Sequence, residues 1–263
     1  MAEQPLYLHY AEAGHGMPVL LVHGFPFDHR IWDAQLAALG ATYHVIAPDL
    51  RGFGESAAPD TGYNMDDLAG DLVRLLDRLG IERAVWVGHS MGGYVTLAAL
   101  RRWPERVSAA VFVGSHVQPD SHEKKIQRES SAELVMKNGV SDTAFTMMGA
   151  IFADEVDRQG DMAQRIYDMM VNAAPQAVAG ALRGMAERPD SRDVARRLAI
   201  PALVIAGEDD EAVGAELTDE LAALIPGARQ VVIPGAGHMP MVEQPDAFAD
   251  SLRTFLEQLP GAR

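Results

Sequence analysis

The chain has no cysteine among its 263 residues, and it has no long hydrophobic run. Without cysteine it can form neither a disulfide bridge nor a thiolate metal site. No apolar run is long enough to cross a bilayer. Residues 1–5 lack the basic segment and the apolar core of a secretion signal. We therefore expect a cytoplasmic protein that does not interact with a membrane.

Basic residues are also scarce. Lys and Arg together number 22 against 37 Asp and Glu, which gives a formal net charge of −15. Such a charge repels nucleic acid and anionic membrane surfaces, so neither is an expected partner. Hydrophobic residues make up 48% of the chain and charged residues 22%, as in a typical globular protein. The length suits one α/β domain with an insertion.

Apolar, strand-like segments alternate with helical patterns along most of the chain. This alternation predicts a mostly parallel sheet with helices on both faces. The clearest helix follows Asn64, a favourable N-cap, and ends before Gly80. The predicted strands are Leu6–Tyr10, Val19–Val22, Tyr43–Ala47, Ala84–Val87, Val107–Val113, Ala202–Ala206 and Gln230–Ile233.

The most informative motif is Gly88-His89-Ser90-Met91-Gly92, which lies between a predicted strand and a helical pattern. A glycine two residues on either side of a serine permits a sharp strand-to-helix turn that raises the hydroxyl toward a cleft. The helix that follows aims its N-terminal amides at an anion formed there. The alternative is a turn whose serine only caps the helix, but the strand-then-helix context favours a nucleophile.

A nucleophilic serine needs a general base and a third group that orients the base. Two predicted strands after the serine end in suitable residues. Glu208, Asp209 and Asp210 follow one strand, and His238 follows the other. The carboxyl ends of parallel strands are where such a sheet places reactive groups. The chain order of serine, acid and histidine is the order expected for this serine turn.

With these motifs the chain resembles the α/β-hydrolase superfamily, in particular its branch of serine esterases, enol-lactonases and cofactor-free haloperoxidases. The resemblance extends over nearly the whole chain. It implies an α/β fold, with a mostly parallel, doubly wound sheet and an inserted helical cap. The matching motifs are His23-Gly24-Phe25-Pro26, Asp49 to Ser56, Gly88 to Gly93, Gly207 to Asp210, and Gly237-His238 followed by Glu243 and Pro245.

The resemblance also implies roles for individual residues. Ser90 is the expected nucleophile, His238 the base and Asp210 the orienting acid, with the backbone amides of Phe25 and Met91 forming an oxyanion hole. We prefer Asp210 to Asp209 because the acid of this family usually lies three residues past the glycine. No cofactor and no metal are expected. The sequence at His122-Glu123 begins like a zinc-protease helix, but Ile126 occupies the place of the second histidine.

Residues 115–192 lack buried-strand runs and carry broken helical patterns, so this segment looks like the cap of the same superfamily. We therefore expect residues 1–114 and 193–263 to form the core and residues 115–192 the cap. Methionine side chains are flexible and could line a pocket for a small acyl group, although packing between helices explains most of them. The cap holds seven of the 13 methionines: Met136, Met147, Met148, Met162, Met169, Met170 and Met185.

Three other polar residues are predicted to be structural. His89 faces away from the reacting centre or orders the serine turn, because His238 already fills the role of base. His23 shapes the oxyanion loop through hydrogen bonds. Arg51, which lies in a glycine-rich turn, pins loops together.

These observations predict a serine hydrolase that cleaves a small carboxylic ester or lactone through an acyl-enzyme, with perhydrolysis as a side reaction. One alternative is a carbon–carbon bond hydrolase with the same triad, but the methionine-rich cap shows no clear basic anchor for its substrate. The other is a ligand-sensing regulatory protein that retains the triad. A serine at position 90 argues against dehalogenases and epoxide hydrolases of this fold, which attack with a carboxylate. The sequence leaves the natural ester and the oligomeric state open.

Overall fold

The computed structural model describes residues 6–260, which build a seven-stranded sheet with helices on both faces. The strand order is β1-β3-β2-β4-β5-β6-β7. All neighbouring strands are parallel except β1, which runs antiparallel to β3. The strands are β1 (Tyr10–Ala13), β2 (Pro18–Val22), β3 (His44–Pro48), β4 (Ala84–His89), β5 (Val107–Val113), β6 (Ala202–Gly207) and β7 (Arg229–Ile233).

The helices cover the sheet in two layers, with α1 and α11 on one face and α2, α3 and α9 on the other. The helices are α1 (Asp33–Leu39), α2 (Met65–Arg78), α3 (Met91–Arg102), α4 (His122–Asn138), α5 (Ser141–Met148), α6 (Asp161–Val171), α7 (Pro175–Ala186), α8 (Arg192–Arg196), α9 (Ala215–Leu224), α10 (Pro240–Glu243) and α11 (Pro245–Leu256). The fold class is therefore the predicted one, an α/β fold with a mostly parallel, doubly wound sheet.

Strand β4 shows why the sheet needs both layers. All of its residues are buried, and successive side chains of a strand point to opposite faces. Ala84 and Trp86 join the apolar core on one face, whereas Val85 and Val87 join the core on the other. A strand that is apolar on both sides is stable only between two helical layers. Strand β4 is also the middle strand of the seven, so the residues that follow it lie at the middle of the carboxyl edge of the sheet.

The prediction for the helix after Asn64 is confirmed. Helix α2 begins at Met65, and the Asn64 side chain accepts a hydrogen bond from the amide of Asp67. Gly80 has a φ of 69° just past the helix end, a conformation that glycine adopts readily.

The predicted first strand is wrong in its position. Strand β1 covers Tyr10–Ala13 and overlaps the predicted segment, Leu6–Tyr10, only at Tyr10. Leu8 is buried in the core without joining the sheet ladder. The apolar side chains that suggested a strand are used for packing, while the less apolar edge strand pairs with β3 through its backbone. Edge strands need only one neighbour, so hydrophobicity is a poor guide to them.

Helices α4 to α8 all lie between β5 and β6. Helix α4 packs on α7, α5 packs on α6, and α8 contacts α3 and α9 of the layer beneath. The backbone amide of Ser191 donates to the carbonyl oxygen of Val117 at 2.9 Å, which joins the two ends of this insertion. Among residues 6–260, no helix is long and apolar enough to cross a membrane.

Candidate active site

Ser90 occupies a strained turn between β4 and α3. Its φ of 50° makes it the only non-glycine residue with a positive φ in residues 6–260. Such a conformation costs about 1–3 kcal/mol and persists only where the surroundings enforce it. A Cβ on Gly88 would lie 2.4 Å from the Gly92 carbonyl oxygen, and one on Gly92 would lie 2.3 Å from that of Val22. The two glycines flanking Ser90 are therefore required by close backbone packing.

Hydrogen bonds from the adjacent strand hold this turn. The Ser90 amide donates to the Val113 carbonyl oxygen at 2.8 Å, and the Ser115 hydroxyl donates to the Ser90 carbonyl oxygen at 3.0 Å. A Cβ on Gly93 would lie 2.2 Å from Ser115 Oγ. Sequence reasoning missed Ser115 because nothing local distinguishes it from other serines in loops.

Asp210 and His238 form a buried pair in the loops that follow β6 and β7, respectively. His238 Nδ1 lies 2.9 Å from Asp210 Oδ2, while Asp210 Oδ1 accepts the amides of Ala212 and Val213 at 2.9 and 3.0 Å. Burial alone would raise the pKa of Asp210, but the charge and hydrogen bond of His238 and these amides hold it below its ordinary value. Asp210 is therefore an anion that faces the imidazole. Asp209 is exposed, and its side chain makes no hydrogen bond to a histidine within residues 6–260.

Ser90 and His238 line the same cavity, which has a volume of about 780 Å³. Phe25, Ser90 and His238, which follow strands of the sheet, line one side of the cavity, and α4, α5 and α7 provide further walls. The lining also includes Lys124 and Arg128. The inserted segment, whose sequence showed no clear sign of a basic anchor, thus places two basic side chains at the cavity. Both side chains come from α4, whose sequence is too polar for periodicity alone to show which side faces the cavity.

Phe25 lines the cavity, and Met91 directly follows Ser90 in the chain. Met91 is the first residue of α3, and an amide at that position has no acceptor within its helix. Neither the Phe25 amide nor the Met91 amide donates to another group among residues 6–260. His23 holds the Phe25 loop, since its Nδ1 donates to the Gly24 carbonyl at 2.8 Å and its Nε2 accepts the Leu50 amide at 2.9 Å. Burial lowers the pKa of His23, so it acts as a neutral ring, in agreement with the predicted structural role.

His89 connects the serine turn to the histidine loop. Its Nε2 lies 2.9 Å from the His238 carbonyl oxygen, and the two rings are 4.8 Å apart. Burial, aided by His238, lowers the pKa of His89 to about 3, so the ring is neutral and its Nε2–H donates. His89 therefore contacts the loop of the candidate base, a role that sequence reasoning did not foresee.

Glu243 is a third residue whose role the sequence did not show. Its carboxylate accepts three backbone amides, from Ala153 at 2.8 Å, Gly237 at 3.0 Å and Met239 at 2.9 Å. Two of these amides flank His238, and the third belongs to the inserted segment. One side chain thus ties the histidine loop to the helices above it. Glu243 appeared in the sequence only as part of a family motif.

Arg51 lies away from the cavity. It donates to Asp71 of α2 at 2.5 and 2.8 Å and to the Thr61 carbonyl at 3.3 Å. It therefore pins two loops to α2, as predicted.

One cluster has donor groups of the kind that bind metal ions. The ligand atoms of His9, His29 and Asp49 lie within 4.8 Å of one another. Each imidazole Nδ1 lies 2.8 Å from one oxygen of Asp49, and the same carboxylate accepts the amides of His29 and Glu55. These hydrogen bonds already use both oxygens of Asp49. The cluster is therefore complete as a hydrogen-bonded group.

The methionines of residues 115–192 differ in their surroundings. Met147 and Met185 line the cavity. Met169 and Met170 are buried between α6 and its neighbours, and Met136 is 56% exposed. Packing, more than the pocket, thus accounts for most of them, as the sequence analysis anticipated.

Comparisons with known proteins agree with this architecture. The family model described as alpha/beta hydrolase fold matches residues 17–245. A putative non-heme chloroperoxidase from Synechocystis sp. is 31% identical over 262 residues, covering 95% of this chain and 95% of that protein.

Solved structures agree as well. A thermophilic esterase from Thermogutta terrifontis, determined with malate bound, has a TM-score of 0.93 and 39% identity over 95% of this chain and 93% of that one. An enol-lactonase from Burkholderia xenovorans has a TM-score of 0.88 and 30% identity over 95% and 96% of the two chains. These two neighbours are hydrolases, share this fold and have chains of similar length.

Proposed function

Because this chain belongs to the α/β-hydrolase family and is a hydrolase enzyme of that fold, we propose that it cleaves small carboxylic esters or lactones through an acyl-enzyme on Ser90. The observation that carries the proposal is the shared cavity. A strained serine and a histidine already paired with a buried aspartate both open onto it. The names of the esterase and enol-lactonase neighbours support this substrate class.

In the proposed mechanism, His238 takes the proton from Ser90 as the hydroxyl oxygen attacks the carbonyl carbon. Asp210 holds the imidazole in the tautomer that accepts this proton at Nε2 and stabilises the imidazolium that forms. The amides of Phe25 and Met91 donate to the oxyanion of the tetrahedral intermediate. The intermediate then expels the alcohol, which takes the proton from His238. Water hydrolyses the acyl-enzyme by the same steps.

We also propose that residues 115–192 act as a cap over this site, with residues 1–114 and 193–263 as the core. The hydrogen bond between Ser191 and Val117 supports these limits, because it closes the insertion at its base. The position of α4, α5 and α7 around the cavity supports a role in choosing the acyl group. A wall that excludes water also strengthens the electrostatic interactions at the reacting carbonyl.

The test is the hydrolysis of 4-nitrophenyl butyrate by the Ser90→Ala variant. We expect kcat to fall about 10⁴-fold or more, because the nucleophile is lost while the fold is kept. Ser131 lines the same cavity on α4, so Ser131→Ala is the matched control and should retain activity. A fluorophosphonate probe should label the native chain and the control but not Ser90→Ala. Substantial turnover by Ser90→Ala would refute the proposed mechanism.

Perhydrolysis is a second candidate activity, favoured by the chloroperoxidase and haloperoxidase names of relatives. In this reaction hydrogen peroxide replaces water. Its oxygen attacks the acyl-enzyme carbonyl, the bond to Ser90 Oγ breaks, and a peracid leaves while Ser90 regains its proton. Peracid formation from an ester and peroxide should then be lost in Ser90→Ala together with hydrolysis. Peracid formation that persists in the variant would argue against this route.

A further inference from the structure

One wall of the cavity is polar and carries positive charge. One side of α4 lines the cavity. The lining side chains are polar over the first three turns and become apolar at Leu134 and Val135. That spacing places the side chains on one face of the helix. A wall of this composition suits a substrate whose far end is polar. The polar lining residues at the start of α4 are Ser121, Lys124, Gln127, Arg128 and Ser131.

At this wall, two guanidinium groups share the carboxylate of Asp120, which also lines the cavity. Asp120 accepts a hydrogen bond from Arg128 and pairs with Arg188 at 2.7 Å. The Arg188 side chain is only 4% exposed, and its guanidinium lies 4.2 Å from the ring centre of Tyr94. Burial would raise the pKa of Asp120, but the two arginines outweigh it and hold the pKa below its ordinary value. One ionised carboxylate therefore balances only one of two cations.

Helix α4 itself adds no acidic side chain to the lining of this cavity. Lys124 has no ion-pair partner within residues 6–260. Burial and the charge of Arg188 lower the pKa of His116 to about 4, so this ring is neutral near pH 7. Asp142 and Glu211 also line the cavity, but they belong to α5 and to the loop after β6, whereas Lys124 and Arg128 both lie on α4. Lys124, Asp142 and Glu211 are all exposed, so water screens their charges more than that of the half-buried Arg128.

We propose that the acyl group of the substrate ends in a carboxylate, which Lys124 and Arg128 bind while Ser90 attacks the ester at the other end. The substrate would be a half-ester of a short dicarboxylic acid, or a lactone that bears a carboxylate. The inference rests on the proposed esterase function of the same site. The chain as a whole has a formal charge of −15, so anions are attracted only where cations are grouped locally.

Two chromogenic esters of equal length test this proposal. Mono-4-nitrophenyl glutarate carries the carboxylate, and its methyl-capped counterpart is neutral. We expect the native enzyme to show a kcat/KM about tenfold higher for the anionic ester, as a charge-assisted hydrogen bond supplies. The preference should shrink in about 0.5 M NaCl, because salt screens the attraction. An equal or lower kcat/KM for the anionic ester would overturn the proposal.

A comparison of Lys124→Glu with Lys125→Glu distinguishes the effect of the cavity wall from the effect of the net charge of the protein. The two substitutions change the net charge equally and neighbour each other on α4, but only Lys124 lines the cavity. Lys124→Glu should remove or reverse the preference. Lys125→Glu should keep the preference and leave the kcat/KM for the neutral ester within about threefold of native. Equal effects of both substitutions would show that the wall does not bind the carboxylate.

The proposed esterase function and the proposed carboxylate site can be tested independently of each other. Loss of neutral-ester turnover in Ser90→Ala supports the esterase mechanism whatever the charge preference is. If the native enzyme cleaves neither ester, that function fails. The binding of monomethyl and dimethyl glutarate to Ser90→Ala, measured by calorimetry, then decides the anion site alone. Tighter binding of the monoanion supports the site, and equal or weaker binding overturns it.

Discussion

At the scale of single residues, the two adjacent aspartates differ in their surroundings. Asp210 is buried and bonded to His238, whereas Asp209 is exposed. We expect Asp210→Asn to lower kcat for 4-nitrophenyl butyrate about 10³- to 10⁴-fold, because an amide can stabilise the wrong tautomer of His238. Asp209→Asn, measured in the same assay as the matched control, should stay within about twofold of native. A larger loss at Asp209 than at Asp210 would overturn this assignment.

Variants of His89 test whether the His238 loop needs the hydrogen bond that His89 donates to it. His89→Leu removes the donor to the His238 carbonyl, so we expect kcat to fall about tenfold to a hundredfold with KM little changed. His89→Gln keeps an N–H donor and should restore most of kcat. His89 is neutral, with its pKa lowered to about 3, so the acid limb of the pH–rate profile should not move in His89→Gln.

A purely structural role for His89 predicts a different result. Both variants would then lower the melting temperature and leave kcat per folded molecule unchanged. Thermal unfolding followed by circular dichroism, beside kinetics on the folded fraction, distinguishes the two cases.

At the scale of elements, two neighbouring methionines of α5 differ in whether they line the cavity. Met147 lines the cavity, whereas Met148 does not line it. We expect Met147→Ala to enlarge the acyl site and to raise kcat/KM for the 4-nitrophenyl hexanoate ester, relative to the butyrate, by about threefold to tenfold. One methylene group in an apolar pocket changes the selectivity between substrates by a factor of about this size.

Met148→Ala is the matched control on the same helix. It removes the same atoms, so any general loosening of α5 appears in both variants. A similar change in chain-length preference for the two variants would mean that helix stability, and not the cavity wall, sets the preference.

At the scale of the whole molecule, the cluster around Asp49 makes stability depend on pH. The hydrogen bond and charge of Asp49 raise the pKa of His29 above its ordinary value of 6.5. A raised folded pKa adds stability that is fully present below the unfolded pKa and is lost as the pH rises through the folded pKa. We therefore expect His29→Asn to lower the melting temperature by roughly a few degrees near pH 6 and by less near pH 9.

His15 provides the control for this measurement. It is exposed and takes part in no ion pair within residues 6–260. His15→Asn should leave the melting temperature unchanged at both pH values. A His29→Asn deficit that stays constant or grows with pH would contradict the linkage to the His29 charge.

Much of the architecture follows from local features of the chain. The alternation of apolar strands and helices predicts the layered sheet, because each segment must bury its own apolar side chains. The glycines around Ser90 predict the strained turn, because steric limits on the backbone act within a few residues. The one misplaced element, the first strand, lies at the sheet edge, where pairing with β3 and not hydrophobicity sets its limits.

The sequence by itself therefore determined the fold class and the serine turn, because both depend on short-range periodicity and backbone sterics, while the resemblance to the α/β-hydrolase superfamily implied the candidate catalytic residues. The tertiary structure alone decided which acid faces His238, and it brought Ser115, His89 and Glu243 to the site. It also gathered Asp120, Arg128 and Arg188 at one wall of the cavity. Such contacts join residues far apart in the chain, so their charges and hydrogen bonds exist only once the layers have packed.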